Sequence, residues 1–316
     1  MRYHRTPFPI RSAMFATLLG RLPRPPSNDA DGDDEAVRAA LGAQDRAGLE
    51  LLADGGLRRA AATVADWQFA AGATQRPVKQ TLMGPYTAGR AGSPDRAQRS
   101  RLSLARAEAL NSELRALHDA GCTFVQIDEP AAVRIGADAG ERALFRDAHR
   151  RLTDGVGEIH LSLALTGGNA DRSGAATFFD LPYASYAFDL IAGPDNWRLI
   201  TSAPWDRGIV CGAMSPAAGG DERPETLVWA AHYAASGRGL ERVALANAPG
   251  LEAVPWDVAI VKLARVAEAA RIAALPSADA LAESLDPRAV SSRSAALGRA
   301  APPLRRARRT KENDSA

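Results

Sequence analysis

Cysteine is almost absent from this chain of 316 residues, which contains only Cys122 and Cys211, both inside short apolar runs. Two distant cysteines cannot form a disulfide framework, so we expect buried, reduced thiols and a cytoplasmic location. Long apolar runs are also missing, and residues 1–10 lack the apolar segment of a secretory signal. The sequence therefore predicts neither a disulfide-rich secreted domain nor a membrane protein.

Lysine is scarce too, since the sequence contains only Lys79, Lys262 and Lys311, whereas arginine is frequent. The net charge is +2, and residues 277–316 carry eight basic against five acidic side chains, so they contribute +3 and the rest of the chain −1. A folded part with so little net charge has no general attraction for a polyanion. We interpret the run RRARRTK (305–311) as a solvated tail, which favours a small-molecule substrate over a nucleic acid or a membrane as partner.

Short apolar runs alternate along the chain with amphipathic stretches of helical length. The predicted strands are Met14–Leu18, Leu49–Ala53, Val78–Met83, Cys122–Ile127, Glu158–Leu163, Ser185–Phe188, Ile209–Cys211 and Arg242–Ala246. The predicted helices are Glu35–Arg46, Leu57–Ala70, Ala97–His118, Gly140–Leu152, Pro224–Ala235 and Pro255–Ile272. The links after the fifth and sixth strands have weaker patterns and predict short or broken helices.

Eight strand–helix alternations within about 260 residues are typical of an α/β protein with a single (β/α)8 TIM barrel. A doubly wound open sheet is the alternative, but no GxGxxG motif follows the first strand. We therefore predict an N-terminal extension at residues 1–13, a barrel at 14–276, and a basic, disordered tail at 277–316. The helical and strand periodicity is lost from Ser277 onward.

Polar residues follow the predicted strands, where the active site of such a barrel is found. The strongest case is FVQIDEP (124–130), in which an apolar strand meets two acids, Asp128 and Glu129, and is then ended by Pro130. Loops are polar in any protein, but they seldom place two acids directly before a proline. His160 is more ambiguous, because the alternation in EIHLSLAL (158–165) also fits a histidine of the core.

These segments resemble a known family. GCTFVQIDEPA (121–131), VKQTLMGPYT (78–87) and EIHLSLALTGGN (158–169) resemble the C-terminal catalytic barrel of cobalamin-independent methionine synthase, and in particular its single-barrel, methionine synthase II-like members. Four further segments resemble that family in the same order, namely ATLLGRLPRP (16–25), AQDRAGLELLADGGLRR (43–59), GIVCGAMS (208–215) and LANAPGLEAVPWDVAIVKLARVAEAARI (245–272). The resemblance extends over residues 14–275.

The resemblance implies methyl transfer from a methylated folate to the thiol of homocysteine, which a zinc ion bound by His, Cys, Glu and Cys converts to a thiolate. His160 matches the histidine and Asp189 stands near the position of the glutamate. The two cysteine positions are occupied by Ser162 and by Ala248 or Pro249. With His160 and Asp189 as the only retained candidate ligands, we expect zinc to be weakly bound or absent, and the methyl-folate donor to remain possible.

The predicted substrate contacts are changed as well. By the resemblance, Gly56 stands where the family has a glutamate that holds the ammonium group of the amino acid, and Arg21 stands where the family has a serine. We therefore expect a substrate that is more negatively charged than homocysteine. We predict Asp128 and His160 as catalytic residues. The predicted substrate-binding residues are Arg21, Asp54, Tyr86, Thr87, Glu129, Asn169 and Asp189.

Three functions follow as hypotheses. The first is a methyltransferase with an altered substrate, in which Asp128 orients the acceptor or relays a proton and His160 acts as a base or as a lone metal ligand. The second is a metal-free lyase or decarboxylase resembling uroporphyrinogen decarboxylase, with Asp128 as the acid beside an anion-binding Arg21. The third is a barrel that binds a small molecule or a partner without catalysis.

Overall fold

The computed structural model describes residues 8, 10, 14–26, 32–58, 63–219 and 223–285. Seven strands form one parallel sheet in the order β1-β7-β6-β5-β4-β3-β2. The strands are Phe15–Thr17 (β1), Gln80–Met83 (β2), Phe124–Asp128 (β3), His160–Leu165 (β4), Ser185–Asp189 (β5), Gly208–Met214 (β6) and Val243–Asn247 (β7). Each of these strands begins within two residues of the start that the sequence predicted for it.

The remaining predicted strand, Leu49–Ala53, closes the sheet into a barrel. Thr17 of β1 forms a parallel bridge with Leu51, and Leu52 forms another with Val78 just before β2. The amide of Leu52 donates to the carbonyl of Pro77 (3.0 Å) and the amide of Lys79 donates to the carbonyl of Leu52 (2.9 Å). The two edges of the sheet are therefore joined, and the predicted (β/α)8 barrel is confirmed.

Helices cover the outside of the barrel between successive strands. They are Asp33–Ala47 (α1), Thr63–Gly72 (α2), Pro85–Gly92 (α3), Arg96–Asp119 (α4), Ala139–Thr153 (α5), Ala175–Phe179 (α6), Trp197–Ser202 (α7), Pro224–Ala235 (α8), Trp256–Ala273 (α9) and Ala278–Leu285 (α10). Each of the six predicted helices has a counterpart, but α2 begins at Thr63 and not at the predicted Leu57, which is not helical. The short α6 and α7 occupy the two links whose patterns were weak.

Local sequence determines where the two long central helices begin. The carboxylate of Asp95 accepts a hydrogen bond from the amide of Gln98 (2.7 Å) at the start of α4. The carboxylate of Asp138 accepts the amides of Gly140 (2.8 Å) and Glu141 (3.0 Å) at the start of α5. Such caps satisfy amides that have no partner inside the helix, and each stabilises the helix by roughly 1 kcal/mol.

The apolar core has two layers, one between the strands and the helices and one inside the barrel. Side chains of β4 alternate between them, because Leu161, Leu163 and Leu165 pack outward whereas Ala164 belongs to the inner cluster. The inner cluster contains Phe8, Phe15 and Phe124. Phe8 lies in the predicted N-terminal extension, yet its ring packs edge-on against Phe15 with 4.7 Å between centroids. The barrel core therefore includes a residue outside the predicted boundary.

The predicted C-terminal tail begins with a helix. Residues Ala278–Leu285 form α10, and its Leu281 and Leu285 pack against the outer core although both remain partly exposed. The spacing of four residues between these leucines fits one face of a helix, and it was not used in the prediction from the sequence. The remainder of the predicted tail, including RRARRTK, lies outside the described residues. Among the described helices, none is both long and apolar enough to cross a membrane.

Candidate active site

His160 lies at the opposite end of the barrel from its predicted position. It is the first residue of β4 rather than a residue near the strand's end, and it pairs in register with Phe124, the first residue of β3. Asp128 is four residues further along β3, which corresponds to about 13 Å at the usual rise of a strand. The prediction that His160 acts as a catalytic residue together with Asp128 therefore does not agree with their positions at opposite ends of the strands.

The surroundings of His160 are those of a core residue. Its ring stacks on Phe124 with 4.4 Å between centroids and on Phe8 with 4.9 Å. Its Nε2 lies 2.8 Å from the hydroxyl of Ser185. Burial lowers the pKa of His160 from its usual 6.5 to about 3, so the imidazole is neutral at physiological pH. The alternative reading of a core histidine is correct.

Three polar side chains are hydrogen-bonded in a row inside the barrel, from Lys79 just before β2 to Asp128 at the end of β3. The ammonium of Lys79 donates to the carbonyl of Leu18 (2.6 Å) and to Oε1 of Gln126 (2.6 Å). Nε2 of Gln126 then donates to Oδ1 of Asp128 (2.7 Å). Because the lysine has only donors, it fixes which end of the Gln126 amide faces Asp128. Asp128 is thus held in one orientation and stays partly exposed at the carboxyl end.

The pKa values of Asp128 and Lys79 are both shifted towards neutrality. Burial raises the pKa of Asp128 to about 6, against the lowering effects of the Gln126 hydrogen bond and the Lys79 charge, while Glu129 raises it further. Burial also lowers the pKa of Lys79 to about 7, against the effect of Asp128. A carboxylate and an amine that both titrate near neutrality are suited to accepting and donating protons.

Asp54 and Arg21 form a second polar group on the neighbouring part of the rim. Oδ1 of Asp54 accepts the amide of Gly56 (2.9 Å), and burial raises the pKa of Asp54. Arg21 donates through Nη2 (2.7 Å) and Nε (3.1 Å) to the carbonyl of Gly56. Gly56 has a left-handed φ of +64°, and a Cβ there would lie 2.9 Å from Cγ of Arg21. The arginine therefore covers the position at which the resemblance places a glutamate.

Glu129, although adjacent to Asp128, is completely buried and anchors α3. Its carboxylate accepts the amides of Tyr86 (2.9 Å) and Thr87 (2.7 Å) and the hydroxyl of Thr87. Nε2 of His149 approaches the same carboxylate at 3.1 Å. The hydroxyl of Tyr86 donates to Glu141 (2.6 Å), away from Asp128. The side chains of Glu129, Tyr86 and Thr87 are thus engaged within the fold.

Asp189 and Asn169 organise the loops at the carboxyl end. The carboxylate of Asp189 accepts the amides of Gly167 (3.0 Å), Ile191 (3.0 Å) and Ala192 (2.9 Å). The side-chain carbonyl of Asn169 accepts the amide of Asp195 (2.8 Å), and its amino group donates to the Asp195 carboxylate (3.1 Å). Both side chains lie at the predicted end of the barrel, but their polar atoms are occupied by the backbone and by other side chains.

The possible metal donors do not come together. His160 and Asp189 lie at opposite ends of the barrel, and within the described ranges no group of three His, Cys, Asp or Glu side chains is arranged to hold a metal ion. Burial raises the pKa of Cys122 to about 11 and that of Cys211 to about 12, so both are thiols. The hydroxyl of Ser162 is buried without a partner in the described structure.

Two residues of the site, Lys79 and Gln126, were not predicted from the sequence. Lys79 falls inside a predicted strand, where a charged residue is unusual, and lysine is rare in this chain, so it carried a signal. Gln126 alternates with Phe124 and Asp128 on the inward face of β3, but only the register between β2 and β3 brings it to Lys79. Around Asp128 the mouth of the barrel exposes Met83 and Ile191, with relative exposures of 55% and 42%.

Comparison with known proteins agrees with this architecture. Residues 30–170 match the sequence family described as cobalamin-independent synthase, catalytic domain. The 5-methyltetrahydropteroyltriglutamate–homocysteine methyltransferase of Nitrobacter winogradskyi is 30% identical over 204 residues. That match covers 60% of this chain but 24% of the relative, so the chain spans about a quarter of the length of that protein.

Solved structures show the same fold at lower identity. A B12-independent methionine synthase from Shewanella, in complex with selenomethionine, superposes with a TM-score of 0.68 at 17% identity, covering 81% of this chain and 96% of that one. A putative vitamin-B12-independent methionine synthase from Listeria monocytogenes gives a TM-score of 0.64 at 16% identity, with the same coverage of 81% and 96%. Residues 30–170 thus resemble the catalytic domain of the cobalamin-independent synthases, and the chain has the barrel fold of these two solved structures.

Proposed function

We propose that this barrel is a methyltransferase that moves a methyl group from a methyl-folate-like donor to a thiol or a related nucleophile, with an acceptor other than homocysteine. The observation that carries the proposal is the partly exposed Asp128, held by Gln126 and Lys79 at the carboxyl end of β3. In TIM-barrel enzymes the active site lies at this end of the barrel. The residues concerned lie inside the segment that matches the family.

In this proposal Asp128 acts as the general base. Its raised pKa, about 6, leaves it largely ionised at neutral pH yet basic enough to take a proton from the acceptor. As the acceptor's lone pair forms the new bond to the methyl carbon, the bond from that carbon to the donor nitrogen breaks and its electron pair stays on the nitrogen. A proton from solvent then neutralises the departing donor, and Lys79 keeps the base oriented through Gln126.

We further propose that the protein does not depend on a tightly bound zinc ion of the family type. His160 is enclosed by Phe8 and Phe124 at the other end of the barrel, and Asp189 already accepts three backbone amides. Ala248 and Pro249 have no donor atom in their side chains, and a serine hydroxyl is a poor ligand because it stays protonated. This donor set does not fit a tetrahedral zinc site, which needs four ligands.

The polarity of the rim supports an altered acceptor. Where the resemblance implies a glutamate for the substrate's ammonium, the chain has Gly56, and the guanidinium of Arg21 covers that position. Replacing a negative by a positive group disfavours an ammonium and favours an additional carboxylate or another anion. We therefore propose an acceptor that is more negatively charged than homocysteine.

No contact favours the lyase hypothesis. It requires Arg21 to lie beside Asp128 as the acid's partner, whereas the contacts of Arg21 among the described residues are with the carbonyl of Gly56 and, electrostatically, with Asp54. A barrel without catalysis has no need for Lys79 and Asp128 in its interior, because the burial of an amine and a carboxylate opposes folding. The methyltransferase hypothesis uses both groups.

The test is a methyl-transfer assay of the purified chain with a methylated folate, using homocysteine and acceptors that carry an additional carboxylate, together with metal analysis after dialysis. We expect turnover with an anionic acceptor, less than one zinc per chain, and a loss of about 100-fold or more in kcat for Asp128→Asn, the usual range for a general base. The control is Asp119→Asn, an acid whose side chain is 82% exposed on the outside of the barrel.

Two outcomes would contradict the proposal. Efficient methylation of homocysteine with one zinc per chain would show that the family chemistry is retained. Equal activity of Asp128→Asn and Asp119→Asn would remove the base from the mechanism.

A further inference from the structure

A cavity of about 480 Å³ lies beside the carboxyl end of the barrel and has no role in the function proposed above. Three arginines, Arg90, Arg99 and Arg134, line it together with apolar surfaces that include Pro94, Pro130 and Ala131. Arg90 belongs to α3 and Arg99 to α4, whereas Arg134 ends the short 3-10 helix Pro130–Arg134 that follows Asp128 and Glu129. Three separate elements therefore direct cations to one space.

The positive charges exceed the negative ones at this cavity. The buried Glu141 is the acid that pairs with its wall, through Arg99 (2.8 Å) and Arg90 (3.3 Å). Arg134 is exposed, and its side chain has no hydrogen bond or ion pair with any of the described residues. Three guanidinium groups thus face one carboxylate, which leaves two positive charges to attract an anion.

The inner wall is rigid before any ligand arrives. Glu141 accepts a hydrogen bond from Tyr86 (2.6 Å) and holds both Arg90 and Arg99, and Arg99 also donates to the carbonyl of Pro94 (2.6 Å). Burial opposes ionisation of Glu141, but the hydrogen bonds from Tyr86 and Arg99 and the arginine charges lower its pKa. Cations held in this way lose little conformational entropy on binding, and the exposed Arg134 adds a third cation to the cavity.

We propose that this cavity is a binding site for the oxyanion of a small molecule, either a carboxylate or a phosphate, between the paired Arg90 and Arg99 and the exposed cation of Arg134. Guanidinium groups bind such oxyanions through charge-assisted and often bidentate hydrogen bonds. The walls formed by Pro94, Pro130 and Ala131 accept the apolar part that carries the anion. The site is separate from Asp128, so an anion binds here whether or not the base is intact.

The experiment is calorimetric titration of the full chain with sodium phosphate and with disodium succinate, in a dilute chloride buffer. We expect one saturable site per chain, and the anion that binds more tightly identifies the source of the oxyanion. Arg134→Ala removes one charge-assisted contact and should weaken binding about tenfold. Arg101→Ala is the matched control, because it removes an exposed charge of the same helix as Arg99 without lining the cavity.

Further outcomes are also decisive. Unchanged anion affinity in Asp128→Asn supports a site that is independent of the active site. Lack of saturable binding of both anions up to about 10 mM, a free energy of roughly −3 kcal/mol, would overturn the proposal. An equal loss of affinity in Arg134→Ala and Arg101→Ala would also overturn it, because the attraction would then be that of the general surface charge.

Discussion

The most unusual residue of the barrel is Lys79, a nearly inaccessible lysine whose amine contacts Gln126 and the backbone of Leu18. Burial lowers the pKa of its ammonium, and Asp128 opposes that shift. A structural core has no use for an amine that is costly to charge, whereas a site that must hold and orient a carboxylate does. The burial of Lys79 therefore opposes folding, while its hydrogen bond to Gln126 keeps Asp128 oriented, so stability and chemistry are in conflict at this residue.

This conflict predicts how stability depends on pH. The unfolded chain binds a proton at Lys79 up to its ordinary pKa of 10.5, whereas the folded chain releases it near 7. The unfolded state therefore binds more protons between these values, and folded stability rises with pH there, by up to about 1.4 kcal/mol per pH unit. We expect Lys79→Met to lose this rise when the free energy of unfolding in urea is measured from pH 7 to 9.5.

Lys262→Met is the control for a lysine remote from Gln126. A wild-type protein and a Lys79→Met variant with parallel pH profiles would show that the amine of Lys79 is charged throughout this range in the folded state.

Among the elements, the strands and long helices could be predicted from the sequence because their apolar periods are regular. The exact ends of β4 could not. EIHLSLAL offers no polar break before Thr166, so the predicted strand Glu158–Leu163 was placed two residues too early relative to His160–Leu165. With that shift His160 became the third residue of the predicted strand instead of the first residue of β4, and its predicted catalytic role came from the family resemblance.

The short helix α3 is an element whose position depends on one carboxylate. Glu129 accepts the amides of Tyr86 and Thr87 at the first turn of α3, as well as the hydroxyl of Thr87, and contacts His149. The sequence placed Glu129 next to Asp128 and so suggested a shared role, although successive residues of an extended segment point to opposite sides. One acid faces the site and the other supports the helix beside it.

We therefore expect Glu129→Gln to destabilise the protein by about 2–4 kcal/mol, since an amide nitrogen would face backbone donors in a buried site. Urea unfolding at neutral pH measures this loss. Glu108→Gln, which changes an exposed acid paired with Arg151, should cost less than about 0.5 kcal/mol. If Glu129→Gln were equally mild, the carboxylate would not be the anchor of α3.

In the molecule as a whole, the two ends of the barrel differ in their side chains and in their roles. The amino end of the barrel is filled by the rings of Phe8, Phe15, Phe124 and His160, while the carboxyl end exposes Asp128. Between them, the inner face of β4 to β7 is lined mainly by small residues, namely Ala164, Ala187, Ala244 and Ala246. This arrangement agrees with the rule that the amino face of a TIM barrel serves stability and the carboxyl face serves function.

The last prediction tests this division through Phe8, which closes the amino end and is only 6% exposed. Phe8→Ala removes a buried ring in contact with Phe15 and His160, and we expect a loss of about 3 kcal/mol in the free energy of unfolding at pH 7. Trp205→Ala, at a ring that is 72% exposed, is the control and should change stability by less than about 0.5 kcal/mol.

The pH dependence makes this test specific to His160. In the wild-type protein burial lowers the pKa of His160 to about 3, so the unfolded state alone takes up a proton as the pH falls below 6.5 and folded stability declines. Without Phe8, water reaches the imidazole and its pKa rises towards 6.5, which reduces that decline. The stability difference between wild type and Phe8→Ala should therefore shrink from pH 7 to pH 4. A constant difference would mean that another group keeps His160 neutral, and that the aromatic cluster does not control its protonation.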